Sequence, residues 1–564
     1  MRSNERKDLM KRIIALTLSV VLCFTMILTS CSQQQAEKKT DAAKTEATKA
    51  VDSNLTAKGT YPIVNNPVTL KIMINPLDWV GDLDTNKTTK WYESKTNVKI
   101  NWQRTSETDF PQKMNLILAS NSDLPDIFFH RNTFAADFIY NYGTEGMFIP
   151  LNGLIDKWGV GIKKIFEYDS TFENKIKAPD GNIYALPRYQ ETYHMQYGQK
   201  AWINQKWLDK LNMKMPETTE DFYQVLKAFK EKDPNGNGKA DEIPLAQINP
   251  VYEFFMNPFT FSPSTSILYL KDKKVEAVVS QPKYKDGIKF LNKLYTEGLL
   301  DKEFLTNKPA QVKQLAENPE GNRLGVVTHL AISGFTDLSK DRKLEYTALP
   351  PLKGSDGTRQ TPYMPTAPRF NVVITKASKY PDVAFRWADG FYDSYNEQGW
   401  RGEENVDWRK AKPNEIGLDG KPATFIALIP YGSNQNSFWE EMAPFGPGFQ
   451  TQQMRNGYKV VTPGVWEQEK VLIDESKNKY EPYKSKNYEV LPPLFINKKD
   501  MTDYLQIKET LNTIVTDYTA RFITGAANIN NDWDKYMTEI KQAELDKFIK
   551  LTQDAYNVQY GAKK

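Results

Sequence analysis

Residues 233–244 read DPNGNGKADEIP, a run dense in oxygen donors. Asp233, Asn235 and Asn237 fall at positions one, three and five of an EF-hand-like loop. Gly238 holds position six, where such a loop turns sharply, and Asp241 holds position nine. Lys239 at position seven would offer its backbone carbonyl rather than its amine. Position twelve is Pro244, which cannot supply the usual bidentate acid; Glu242, two residues earlier, is the substitute. A hard cation wants these ligands, so the spacing predicts a structural Ca2+ site. The alternative is an Asn-Gly-rich turn with a solvated acidic edge.

Cys31 is the second residue whose position implies chemistry. The chain has two cysteines, Cys23 and Cys31, both near its start. A disulfide framework, a thiolate zinc site and a Cys nucleophile are therefore excluded for the body. Arg2, Arg6, Lys7, Lys11 and Arg12 precede an apolar run, Ile13–Leu28, that is shorter than the ~20 residues a bilayer span needs. This reads as a secretory signal over residues 1–30. Leu28-Thr29-Ser30-Cys31 resembles a bacterial lipobox, whose cysteine receives a diacylglyceryl group. Two acyl chains anchor stably where one is marginal. A plain signal anchor with an incidental cysteine is the alternative. Residues 31–60, rich in Ala, Lys, Thr, Gln and Glu, bury too little apolar surface to fold and read as a flexible tether. The chain is thereby placed outside the cytoplasmic membrane, held by a lipid on Cys31.

Composition removes several other classes. The chain has 564 residues, enough for two cores, with 40% hydrophobic and 26% charged residues. Lys and Arg number 74 against 70 acids, with no segregated basic block, so nucleic-acid binding is not suggested. His130, His194 and His329 are the only histidines and no HExxH occurs, which argues against a zinc enzyme. There is no GxxxxGK[ST] loop and no GxSxG elbow. Glu403 and Glu404 are consecutive, so their side chains point to different faces and make a poor acid/base pair.

The elements that must position any site follow from periodicity. Val68–Asn75 and Val98–Arg104 have strand composition, Phe110–Ser120 reads as an amphipathic helix, and Leu124–Phe129 as a short apolar strand. That alternation predicts an open α/β sheet, with ligands beyond the carboxyl ends of its strands. Thr218 caps a helix running to Lys230, with Asp221 as the capping-box acid. A later helix carries Tyr504, Ile507, Leu511, Val515, Tyr518 and Phe522 on one face and ends at Gly525. Asp532 is expected to cap the last helix.

Three segments carry a resemblance to a known family. They are DGNIYALP (residues 180–187), KWLDKLNMKMPETTEDF (206–222) and TGAANINNDWDKYMTEI (524–540). In this order, behind a lipoprotein signal, they are similar to the extracellular solute-binding proteins of ABC importers, in the large class taking up oligosaccharides, alginate-oligosaccharide-binding proteins among them. The resemblance implies a periplasmic-binding-protein-like α/β fold of two lobes with a hinge and an interlobe cleft. One lobe is expected from residues 61–187 plus 367–435, the other from 188–366 plus 436–564. PRFNVVITKAS (368–378) resembles the family's return strand. Calcium loops of this type occur in family members that bind acidic oligosaccharides, which favours the cation reading of 233–242.

The implied function is a non-enzymatic monomer that captures an oligosaccharide and delivers it to importer permease subunits. A peptide-binding lipoprotein of the same fold and a surface glycoside hydrolase are the alternatives. Sugar rings stack on aromatic faces, so aromatics in predicted loops are the ligand candidates: Trp79, Tyr189, Tyr193, Tyr363, Trp400 and Trp439. His130, Arg131, His194 and Arg401 adjoin them in sequence or lie at predicted strand ends. Arg pairs bidentately with carboxylate, so convergence of Arg131, Arg188, Arg369 and Arg401 would favour an acidic glycan.

Overall fold

Val68–Ile74 alternates buried positions with exposed Thr69 and half-buried Lys71 and then runs fully buried, because both faces of its sheet become covered. In the computed structural model, which describes residues 53–248, 252–263, 266–393, 398–430, 432–439 and 446–561, it pairs in parallel with Val98–Arg104 and with Ile127–Phe134. The expected first strand is thus one residue shorter. Leu124–Phe129 is displaced toward Phe134, since Pro125 precedes the pairing. The helix Phe110–Ser120 has its expected bounds.

Arg369–Ile374 returns antiparallel between Ile127–Phe134 and Leu186–Gln190, and Gly448–Gln450 closes the edge. These six strands form the larger sheet. Its core positions, such as Ile72, Phe129 and Val372, are fully buried, each stabilising the fold by about 1.5–3 kcal/mol. The smaller sheet runs in the order Tyr346–Leu349, Ala201–Asn204, Leu324–Thr328, Ile243–Gln247. The third crossing was expected near residue 435, yet Gly448–Gln450 still pairs with Leu186–Gln190 of the larger sheet. A separate three-stranded sheet, Trp408–Lys410, Phe425–Ala427 and Tyr458–Val460, has its own small core.

The helix Thr219–Glu231 starts in a reciprocal capping box: Asp221 N–H donates to Thr218 Oγ1 and Thr218 N–H to Asp221 Oδ2, both 3.0 Å. Met501–Thr524 ends at Gly525, whose φ of 79° is the left-handed conformation glycine adopts without strain. Asp532 does not cap the following helix Trp533–Gln542; its Oδ2 accepts from Asn528 N–H instead (2.8 Å). Nor is that helix the last, since Leu545–Tyr560 follows.

The chain divides into two units, Met1–Leu55 and Thr56–Lys564, and all the elements above belong to the second. The signal, Cys31 and most of the expected tether lie outside the described residues. The tether's expected end at residue 60 is not loose: Arg386 donates to the carbonyls of Thr56 (2.8 Å), Ala57 (3.0 Å) and Thr60 (2.9 Å). No helix among the described residues is long and apolar enough to cross a membrane.

Candidate functional site

Leu77 and Trp79 follow the first strand of the larger sheet, and Ala331 and Ser333 follow Leu324–Thr328 of the smaller one. Together with Arg131, Arg188, Gln190, His194 and Met364–Ala367 they line a cleft of about 550 Å³. It lies beyond the carboxyl ends of strands from both sheets, where ligands of open α/β folds bind. A somewhat larger cavity, about 680 Å³, also touches Met364–Arg369 but is lined mainly by apolar side chains such as Phe134, Leu270, Val490 and Phe548. Polarity and strand-end placement favour the first as the site.

The cleft wall is built on main-chain anchors. Asn371 Nδ2 donates to the carbonyls of His130 (2.8 Å), Arg131 (3.1 Å) and Asn132 (2.9 Å), fixing the middle of the strand Ile127–Phe134. Asn75 Oδ1 accepts from Arg131 N–H (2.9 Å). Arg188 Nη2 donates to the Arg131 carbonyl (2.6 Å), and Arg188 stands opposite Arg369 across the strand pair.

On the facing wall Glu469 is gripped by Arg455, with Nε to Oε1 at 2.6 Å and Nη2 to Oε2 at 2.7 Å. Burial raises the Glu469 carboxyl, but the Arg455 guanidinium outweighs this and holds it below its ordinary value. His194 Nδ1 lies 3.6 Å from Glu469 Oε1. Burial depresses the His194 imidazole to about 4. Beneath it, buried Lys200 donates to the His194 carbonyl (2.9 Å) and to the Tyr197 carbonyl. Burial lowers the Lys200 amine to about 7.

Trp79, Arg131 and His194 are thus brought to one cleft together with Arg188 and Arg369, and the other aromatic candidates, His130 and Arg401 are not. His130 packs edge-on against Phe110 (4.8 Å) and Phe134 (5.3 Å). Tyr189 is buried among Tyr168, Phe172 and Phe449, its hydroxyl on Glu191. Tyr193 donates to Glu481 Oε2 (2.9 Å). Tyr363 packs on Tyr197 with Lys484 over its face (3.5 Å). Trp400 lies in an aromatic core with Trp91, Tyr92 and Phe391, and Trp439, 2% exposed, donates to Thr89 Oγ1 (2.9 Å). Arg401 covers the ring of Phe425 (3.8 Å), away from the other arginines. Sequence reasoning missed Gln190, Ser333, Arg455, Gln468 and Glu469, which come from four separate stretches of chain with no shared motif.

The loop 233–242 folds around its own side chains. Asp233 accepts from the N–H groups of Gly236 (2.9 Å), Asn237 (3.1 Å) and Gly238 (3.0 Å). Asn237 Oδ1 accepts from Lys239 N–H (2.8 Å), and Asn235 Nδ2 donates to Asp241 Oδ1 (3.3 Å). The Lys239 amine turns outward to Glu320 (2.5 Å). Both oxygens of Glu242 are buried with no hydrogen-bond partner, and burial with nearby Asp233 and Asp241 raises its carboxyl. A buried unpaired carboxylate is costly, so the donor set fits a cation that would satisfy it. No group of three or more His, Cys or acidic side chains is already gathered as metal ligands among the described residues; this loop relies on Asn and carbonyl oxygens as well.

This two-lobed α/β architecture with a polar cleft at the strand ends defines a binding protein of the solute-receptor type. Residues 82–392, more than half of the 564, match the family model of bacterial extracellular solute-binding proteins, and the chain belongs to that family. It is 29% identical over 490 residues to the fructooligosaccharide ABC transporter substrate-binding protein FusA of Streptococcus pneumoniae serotype 4, covering 84% of this chain and 86% of FusA. The structure of S. pneumoniae FusA in complex with kestose matches with a TM-score of 0.74 at 26% identity, over 88% of this chain and 100% of that one. An EF-hand mutant of FusA in complex with fructo-nystose matches at 0.73 over the same shares. The alginate-binding protein AlgQ2 without calcium ion matches at 0.65 and 26% identity, over 89% and 100%.

Proposed function

We propose that this chain is the substrate-binding lipoprotein of an ABC importer, and that its cleft captures an oligosaccharide for delivery to a membrane permease. The observation that carries this reading is a cleft lined from both lobes by Trp79, Arg131, Gln190, His194, Ser333 and Gln468, in a chain similar to FusA along most of its length. Lobe closure about Met364–Ala367 would bury the ligand. The side chains orient hydroxyls and shield the ring face on Trp79; no bond is broken. The protein acts as a monomer outside the cytoplasmic membrane, held by a lipid on Cys31.

Asp233, Asn235, Asn237, the Lys239 carbonyl, Asp241 and Glu242 would hold one Ca2+. The ion would supply the positive charge that buried Glu242 lacks and so tie the loop to the adjoining helix end. An acidic glycan is a second reading, favoured by Arg188 facing Arg369 beside Arg131.

Calorimetric titration of the full chain with kestose, nystose and an oligogalacturonide, with and without Ca2+, tests these readings. Binding of one saccharide class with no hydrolysis product supports the receptor and names its cargo. Binding of none, or cleavage of the probe, defeats it.

A further inference from the structure

A side chain that discriminates among sugars must be rigid, polar and incompletely satisfied by the protein itself. His194 meets all three conditions. It lines the cleft, is 6% exposed, and its Nδ1 is enclosed without a hydrogen-bond partner. Its main chain is pinned by the Lys200 amine at the carbonyl (2.9 Å), which leaves only side-chain torsion free.

Glu469 Oε1 lies 3.6 Å from that Nδ1, just beyond hydrogen-bond reach. The carboxylate is 5% exposed and held at both oxygens by Arg455, at 2.6 and 2.7 Å. It cannot swing toward the imidazole, so the imidazole must turn toward it. A carboxylate only accepts hydrogen bonds, so the ring nitrogen beside it is the one that carries hydrogen. In a neutral ring the other nitrogen, Nε2, then has a lone pair and no hydrogen.

We infer that His194 is a specificity-determining residue, positioned by Glu469, whose Nε2 accepts a hydrogen bond from a ligand hydroxyl at the cleft wall. This inference rests on the oligosaccharide reading and deepens it. The subsite selects a group that can donate: a sugar hydroxyl qualifies, and an ionised carboxylate does not. An acidic glycan would therefore have to keep its carboxylates toward Arg188 and Arg369 on the facing wall. Sites built around a buried polar group reject ligands that leave it unpaired far more strongly than apolar pockets reject extra bulk.

The chain has three histidines, so selective 15N labelling of imidazoles in the full chain gives a readable spectrum. The expected result is an Nδ1–H tautomer at His194 in the free protein, and a shift of its Nε2 signal on adding whichever of kestose, nystose or oligogalacturonide binds. In titrations with that saccharide, His194→Phe weakens affinity at least tenfold. His194→Gln, which restores an acceptor oxygen, recovers it to within about threefold. Glu469→Gln abolishes the tautomer preference. An Nε2–H tautomer in the free protein overturns the inference whatever the ligand. Binding by His194→Phe within twofold of the parent overturns it while leaving the oligosaccharide reading intact. If the parent binds no saccharide, that reading falls and this inference with it.

Discussion

The loop 233–242 and the cleft solve the problem of buried polarity in opposite ways. In the loop, partners lie within a few residues of one another: Asp233 serves three neighbouring N–H groups and Asn237 serves Lys239. Only Glu242 is left over, and an ion from solvent can complete it. In the cleft, partners come from separate elements: Arg188 reaches Arg131, Asn371 reaches three carbonyls of another strand, and Arg455 pairs with Glu469 of the neighbouring helix. A local cluster can form wherever its short segment forms. A distributed one exists only when the strands and helices that supply its members have packed together, so damage to it reaches beyond one segment.

The sharpest test of this difference is Arg455→Met. It strands a buried carboxylate, a lesion of about 3–5 kcal/mol, read as a lowered urea midpoint. Its Ca2+ response should be unchanged. The converse is Glu242→Gln, which keeps shape and removes the orphan charge. In the parent, Ca2+ at a hundredfold excess over its dissociation constant should stabilise by about 2.7 kcal/mol. Calorimetry should show that gain lost in the variant, with saccharide affinity within twofold. Equal calcium dependence of the two would erase the contrast.

A further contrast lies in pH. The folded Lys200 amine is lowered to about 7 from an ordinary value of 10.5. The unfolded chain therefore binds more protons between those values, and stability rises with pH across that window. Denaturation profiles of Lys200→Met should lack this rise. The smallest expected effect is Thr218→Ala, which removes one half of a local capping box beside the loop's helix. It should cost about 1 kcal/mol and leave the cleft untouched when thermal melts and titrations are compared.

The same division explains what was legible in the sequence. The strand Val98–Arg104, the helix Phe110–Ser120 and the Thr218–Asp221 box follow from short-range pattern and stand where expected. The oxygen spacing of 233–242 is likewise local. Trp400 and Trp439 looked like loop aromatics, but an aromatic after a turn reads the same whether it faces ligand or core; here both join a buried cluster around Phe391. The Arg455–Glu469 pair joins two different helices, and no periodicity links them. Asp532 had the right residue type for a cap, but a nearer donor, Asn528 N–H, claims its carboxylate.

The burial of the imidazoles has a consequence for the surroundings in which such a receptor works. His130 and His194 are each held near 4 and His329 is also depressed, in every case chiefly by burial. Acidification of the medium from neutral toward 5 therefore leaves His130 and His194 uncharged, and the proposed hydrogen bond from ligand to His194 is kept over that range. What declines is the margin against unfolding: these histidines take up protons more readily in the unfolded chain, so stability falls as pH drops from about 6.5 toward 4. A cell that sours its own growth medium would keep its affinity for food until the receptor itself begins to melt.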